Sequence, residues 1–343
     1  MNARSEARIP GPPGCVILGP VRFVVFGAGA VGATIGGRLF EAGHAVVLIA
    51  RGAHHDALVA DGLDLRDPDG AVTLRVPTVA HPSEIDFGPD DVVLLTMKTQ
   101  DTSQALADLR ASAPPRIPVV CAQNGVDNER QAARLFPAVY GLCVILPAQH
   151  LEPGVVWAAC SPVAGVLDLG RYPRGIDPTA VEIAAALDGS GLRSEANPDI
   201  MRRKRAKLLM NLANALDAAC GAGARGSELH LRARAEATAC FEAGGLGWSA
   251  DEEDRERRAL LSPMRVVPGQ HPHASSTWQS MHRRTGSTEV DHLNGEIVLL
   301  GRLLGIPTPV NELLQRTVAR MAHERAAPGS VSMSDLEAAL DHA

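Results

Sequence analysis

Arg22-Phe23-Val24-Val25-Phe26-Gly27-Ala28-Gly29-Ala30-Val31-Gly32 decides the fold of this chain. Five strand-forming residues run straight into a G-x-G-x-x-G pattern. A helical run, Ala33 to Ala42, follows, and then a second apolar strand, Ala45 to Ala50. A strand before, a helix after and a second strand within about thirty residues is the context in which this motif cradles a dinucleotide. Gly27 permits the tight turn, Gly29 lets backbone approach a pyrophosphate, and Gly32 lets the helix pack close to the strand. The helix start then offers free N–H groups and a positive dipole end to phosphate. Ala28, Ala30 and Val31 complete the expected cofactor loop. The residue after the second strand selects the cofactor. An acid there would hold a ribose 2′-hydroxyl, but this chain has Arg51 and no acid before Asp56, which suits a 2′-phosphate and predicts NADP(H). His54 and His55 are read as a solvated loop, with a cofactor contact as the alternative.

Working outward, an α/β rhythm continues. A polar hairpin is expected over 63–76. Strand 91–96 precedes helix 100–110, strand 117–122 precedes helix 127–135, and strand 139–145 leads through further β segments near 155–168 to a helix at 178–188. Such alternation winds into a parallel sheet with helices on both faces, whose ligands gather beyond the carboxyl ends of the strands. Lys98 and Asn124 sit just past two such ends. Each is a candidate site residue, and each is equally a turn residue, Asn124-Gly125 above all.

Beyond Asn197-Pro198 the strand signals stop. In the helical segment 206–216, Lys207, Asn211 and Asn214 fall at i, i+4 and i+7 among apolar residues and so share one face. Three polar positions in an otherwise apolar helix are read as the lining of a cavity. Further clusters occur at Ser275-Ser276 and Thr288-Glu289-Val290-Asp291, before a helix ending at Gly305 and a last long helix from about 310. Arg202-Arg203-Lys204-Arg205 reads as a solvated basic face, with Lys204→Ala nearly silent. His271-Pro272-His273 lacks the further ligands of a metal site, so no metal is expected. The domains expected are a disordered leader 1–20, a Rossmann domain 21–197, a helical substrate and dimerisation domain 198–327, and a loosely attached tail 328–343.

The 343 residues carry 33 basic groups, yet lysine occurs only at 98, 204 and 207. Guanidinium stays protonated at any working pH, whereas a buried ammonium can release a proton, so Lys98 and Lys207 are candidates for chemistry. A net charge of -6 argues against nucleic acid or an anionic membrane as partner. No apolar run is long enough to span a bilayer. Six dispersed cysteines fit reduced thiols in the cytoplasm. The oligomeric state is not fixed by the sequence; a homodimer through the helical half is one arrangement it allows.

Taken together, these segments resemble the ketopantoate reductases (2-dehydropantoate 2-reductases), over roughly residues 21–325. The resemblance implies a Rossmann domain followed by an all-α domain of the 6-phosphogluconate-dehydrogenase kind, NADPH as cofactor and a small 2-oxo acid as substrate. It implies Lys207 as general acid toward the 2-oxo group. Glu289 would orient the lysine's surroundings and contact cofactor or substrate. Lys98 and Asn124 become cofactor contacts, with Asn124 also reaching substrate. Asn211, Asn214 and Ser276 become the substrate's polar cradle. The chain departs from the family in four places. Asn214 stands one residue early, the stretch from Ser276 to Glu289 is one residue longer, Ser280 replaces an acid, and the wall that faces substrate is Val144-Ile145-Leu146-Pro147-Ala148-Gln149-His150. Ketopantoate is the first substrate to expect. A sibling reductase for another oxo acid or an imine, and a non-catalytic NADP sensor, are the alternatives.

Overall fold

A computed structural model describes residues 21–221, 223–271 and 275–341; the expected leader lies outside them. Strand β1 (Arg22–Phe26) is apolar and buried because it runs through the middle of a sheet covered on both faces. β2 (Ala45–Ile49), the hairpin β3 (Leu63–Asp67) and β4 (Gly70–Leu74), β5 (Thr78–Val79), β6 (Asp91–Leu95), β7 (Val119–Cys121) and β8 (Val139–Ile145) follow. The last strands are β9 (Ala148–Gln149), β10 (Val155–Ala158) and β11 (Val166–Arg171). Seven of them form one sheet in the order β11-β8-β7-β6-β1-β2-β5. Every pairing is parallel except β11 with β8. Helices α1 (Ala30–Glu41), α2 (Gly52–Ala60), α3 (Thr102–Ser112), α4 (Asn128–Ala133) and α5 (Pro178–Asp188) belong to this half.

The hairpin expected over 63–76 is present as β3 and β4. It joins β10 and β9 in a second, four-stranded sheet, β4-β3-β10-β9. This sheet lies over the outer side of α1, where Gly37 has the leucines of β3 and β4 (Leu63, Leu65 and Leu74) close enough to touch a Cβ at 3.1–3.3 Å. The glycine-loop helix is therefore covered by sheet on two sides.

The second half is helical: α6 (Ile200–Asn211), α7 (Ala213–Cys220), α8 (Glu228–Ala243), α9 (Asp251–Arg258), α10 (Ser276–His282), α11 (Asn294–Leu304), α12 (Pro309–His323) and α13 (Met333–Asp341). Gly305 ends α11 in the left-handed conformation at φ 72°, and Pro309 opens α12 at a position where its missing N–H costs nothing. The single helix expected over 206–216 is interrupted at Leu212. There Asn294 donates to the Leu212 carbonyl and to Asn311, which in turn donates to Glu236. The terminal helix α13 buries Leu336 in the apolar core of α7 and α12, and Val331 N–H bonds Ala219 O, so the expected tail is packed rather than loose.

The basic cluster is the clearest correction. Only Arg202 is exposed. Arg203 donates to the buried Asp168 at 2.5 Å, and Lys204 is 3% exposed. Lys204 Nζ stands 2.7 Å from the fully buried Glu129 of α4 and donates to Cys121 O, Gln123 O and Leu142 O. The run of charges that suggested a solvated face instead turns Arg203 and Lys204 of α6 onto the sheet. Lys204→Ala strands a buried carboxylate and is expected to cost about 3–5 kcal/mol. Urea unfolding measures this; a loss below about 1 kcal/mol, the range of exposed pairs, would return the residue to the surface.

Candidate active site

A cavity of about 1880 Å³ separates the two halves. Its floor is the glycine loop. Gly27 adopts φ +107°, and a Cβ there would lie 2.6 Å from Met97 N. A Cβ at Gly32 would meet Gly27 O at 2.3 Å and Thr96 Oγ1 at 2.4 Å, which is the close helix–strand packing expected of the third glycine. Gly29, by contrast, has open space where a Cβ would go. The loop therefore has two glycines required by the protein's own packing and one facing the cavity. Helix α1 carries no acid in its first turn, so its positive end is left for an anion.

The structure brings the sequence-predicted residues to one place. Gly27 to Val31, Arg51, Lys98, Asn124, Lys207, Asn211, Asn214, Ser276 and Glu289 all line the cavity, while Gly32 packs behind it. Arg51 caps α2 at the rim and makes one loose, exposed pair with Asp101 at 3.6 Å. Val144 to His150 form a wall, as expected. Lys98 crosses to the helical half, donating to Ser276 O at 3.2 Å and to Ser280 Oγ. Lys207 lines the cavity and makes no hydrogen bond or ion pair with the described residues. Burial pulls both ammonium groups below the ordinary lysine range, with Glu289 acting against it. Cys143, Lys204 and Asp254 also act on Lys207. Asn211 Nδ2 and Ser276 Oγ are buried without a partner among the described residues, and Asn214 Oδ1 accepts from Arg225. Buried donors of this kind are normally paired, so two orphans lining one cavity mark where a polar ligand fits.

Sequence reasoning missed a relay behind these groups. Gln123 donates to Thr102 at 2.7 Å, and Thr102 donates to Asn128 at 2.8 Å. Asn128 donates to Thr99 and to Asn124 O, and Thr99 donates through N–H and Oγ1 to Glu289 at 3.3 and 3.2 Å. The carboxylate from the helical half is thus fixed by residues of the sheet half. His54 corrects another expectation: it is no solvated loop residue. Its Nδ1 accepts from Gly154 N–H at 2.9 Å, so Nε2 carries the proton and donates to Ala28 O at 2.6 Å. This neutral imidazole holds the glycine loop from below, and burial lowers its pKa. His150 packs against it at a tilt, ring centroids 4.1 Å apart, and burial draws that ring down to about 4. Of His271-Pro272-His273, the last two lie outside the described residues; among the described residues no group of His, Cys, Asp or Glu could hold a metal ion.

Open space at Gly29 of a glycine loop, in one cavity with a desolvated amine and orphaned amide and hydroxyl donors, fits a dinucleotide-dependent oxidoreductase. Comparison with known proteins narrows the class. The pattern of ketopantoate reductase PanE/ApbA matches residues 23–173 and that of its C-terminal domain matches residues 199–322. The chain belongs to this family. The 2-dehydropantoate 2-reductase of Archaeoglobus fulgidus is 31% identical over 310 residues, covering 87% of this chain and 96% of that protein. Its counterpart in Pyrococcus horikoshii is 28% identical over 304 residues, covering 86% and 95%. Among solved structures, a PanE/ApbA family ketopantoate reductase from Ralstonia eutropha superposes with a TM-score of 0.74 at 30% identity, covering 89% of this chain and 99% of that one. D-mandelate dehydrogenase with NADH and anilino(oxo)acetate shares the fold, with a TM-score of 0.76 at 23% identity and the same coverage. The protein is an oxidoreductase of the CH–OH class, a reductase of oxo acids. Among the described residues no helix is long and apolar enough to cross a membrane.

The glycine geometry separates binding from folding. Gly29→Ala is expected to leave the melting temperature unchanged while raising the dinucleotide KM about tenfold or more, the effect of losing one hydrogen bond to a charged group. Gly32→Ala is expected to cost about 1–3 kcal/mol of stability by overpacking. Equal stability losses in the two variants would overturn the distinction.

Proposed function

We propose that the protein reduces a 2-oxo acid to its 2-hydroxy acid with NADPH, 2-dehydropantoate to pantoate being the first reaction to test. The observation that carries this reading is Lys207: a desolvated ammonium lining the cavity, without a hydrogen bond to the described residues, with the glycine loop across the same space. NADPH, when bound, supplies the hydride. Gly27 to Val31 and the start of α1 would hold its pyrophosphate, Arg51 its 2′-phosphate, and Lys98, Asn124 and Glu289 its ribose and nicotinamide end. Asn211, Asn214 and Ser276 would hold the substrate's polar groups, with Asn124 reaching substrate as well.

Lys207 then has two tasks. Its ammonium donates to the 2-oxo group, which lowers the cost of placing negative charge on that oxygen. It next gives the alkoxide a proton, which a lysine with a pKa lowered by burial does readily. Glu289, fixed by Thr99, opposes the effect of desolvation on both lysines and so favours their charged form. The five cysteines among the described residues are all free, in keeping with a cytoplasmic setting. The wall gives a second reading of the substrate. Val144, Ile145, Leu146 and Met210 line the cavity and suit an apolar side chain, of which the gem-dimethyl group of ketopantoate is one. Comparing kcat/KM for ketopantoate with that for bulkier apolar 2-oxo acids separates the two.

Lys207→Ala is expected to lower kcat by about 10²-fold or more, and Lys207→Arg nearly as much, because guanidinium holds its proton. The acid must be protonated to act, so kcat of the wild type should fall on the alkaline side with a midpoint below 10.5, the ordinary lysine value. Wild-type rates in the arginine variant would remove the role. Arg51→Ala should raise KM for NADPH well above its effect on KM for NADH. Equal effects would remove the 2′-phosphate assignment.

A further inference from the structure

Lys204 and Glu129 lie outside the reacting space, yet their contacts reach both of its walls. Lys204 sits one turn before Lys207 on α6, on the same side of the helix. Its three protons face four acceptors: Glu129 at 2.7 Å, Gln123 O at 2.9 Å, Leu142 O at 3.2 Å and Cys121 O at 3.3 Å. Two of these are the carbonyls at and just beyond the end of β7, and the third belongs to β8. Gln123 directly precedes Asn124, and Asn128, next to Glu129, bonds Asn124 O and Thr99. On β8 the pair rests against Gly141, where a Cβ would fall 3.3 Å from both Glu129 Oε1 and Lys204 Cδ. The backbone there leaves room for the pair and for nothing larger.

We infer that Lys204 and Glu129 are positioning residues for the reaction: they fix the rotation and depth of α6 against the strand ends that present Asn124, and so fix where Lys207 offers its proton. This deepens the reading of Lys207 as the acid and rests on it. An ion pair removed from water is weak support for stability, since apolar residues of similar volume often hold two elements as well; what it adds is register. A rigid ammonium caged by carbonyls of two strands cannot slide along α6 without losing contacts. Reacting groups displaced by about 1 Å can lose about 10²-fold in rate.

Lys204 also contributes to the field at Lys207. Lys204 opposes its charge; Cys143 of β8, Asp254 of α9 and Glu289 beside α11 favour it. Glu129 in turn faces Lys204, Asp127 and, in the same interior, Cys121 and Tyr172. Removing Lys204 together with Glu129 should therefore move the alkaline limb of kcat to higher pH.

The experiment compares the full-length wild type with Lys204→Met/Glu129→Leu and with Glu129→Gln, measuring urea unfolding, kcat, KM and the pH profile of kcat with NADPH and ketopantoate. In the double variant, stability is expected near the wild-type value, with kcat down about tenfold or more. Its substrate KM should change less than kcat, and its alkaline limb should lie at higher pH. In Glu129→Gln kcat should likewise fall with substrate KM changing less, and this variant carries the test if the double variant does not fold. A stable double variant with full kcat and an unmoved limb, or full kcat in Glu129→Gln, would reduce the pair to a structural contact and overturn the inference. Wild-type protein inactive toward every 2-oxo acid tried would instead overturn the reading of the site itself.

Discussion

An ammonium caged by three backbone carbonyls and a carboxylate holds the two halves of this molecule in register. Around that point ion pairs cross the seam beside an apolar cluster that joins Val126 and Cys143 to Ile200, Met201 and Leu293. Arg130 of α4 meets Glu296 of α11 at 2.7 Å, Asp127 meets His292 at 3.4 Å, and Arg203 of α6 meets Asp168 of β11 at 2.5 Å. A reductase cleft must be assembled from two surfaces, one for the nucleotide and one for the substrate. Apolar packing alone is tolerant of small shifts, whereas paired charges taken out of water are not. Here the intolerance lies close to the residues whose placement matters.

Desolvation is the second organising effect. The same burial that would penalise an isolated cation acts on Lys98 and Lys207. One acidic residue, Glu289, opposes it for both and is held in turn by the Thr99, Asn128, Thr102 and Gln123 chain. The orphaned donors of Asn211 and Ser276 belong to the same design: polar groups left unsatisfied by the protein where a ligand would satisfy them.

Much of this could be read from the sequence. The glycine motif, its flanking strands and Arg51 are local signals within about thirty residues, and local signals survive folding. Lys207, Asn211 and Asn214 shared a helical face on paper and line one cavity in the structure, although the helix breaks between the two asparagines. Lys98 and Asn124 were placed by topology, because strand ends gather at one edge of such a sheet. What escaped was long-range. Lys204 stands among arginines, and buried charges are rare enough that a cluster reads as surface. Its partner is 75 positions away, and nothing local to either residue names the other. His54 looked like a loop residue because its acceptor, Ala28 O, and its donor, Gly154 N–H, come from separate parts of the chain. The hairpin's second sheet depends on β10, far downstream, and was invisible for the same reason.

Helix α4 is only six residues long, yet Glu129, Arg130 and the neighbouring Asp127 each meet a side chain of the helical half. The natural cut for recombining this protein with a relative is therefore not the linker at Asn197-Pro198. A chimera that imports a foreign helical module would inherit mismatched charges at α4 unless that short helix travels with it. The unit of exchange is interleaved along the chain, and modularity here is a property of the seam rather than of the domain boundary.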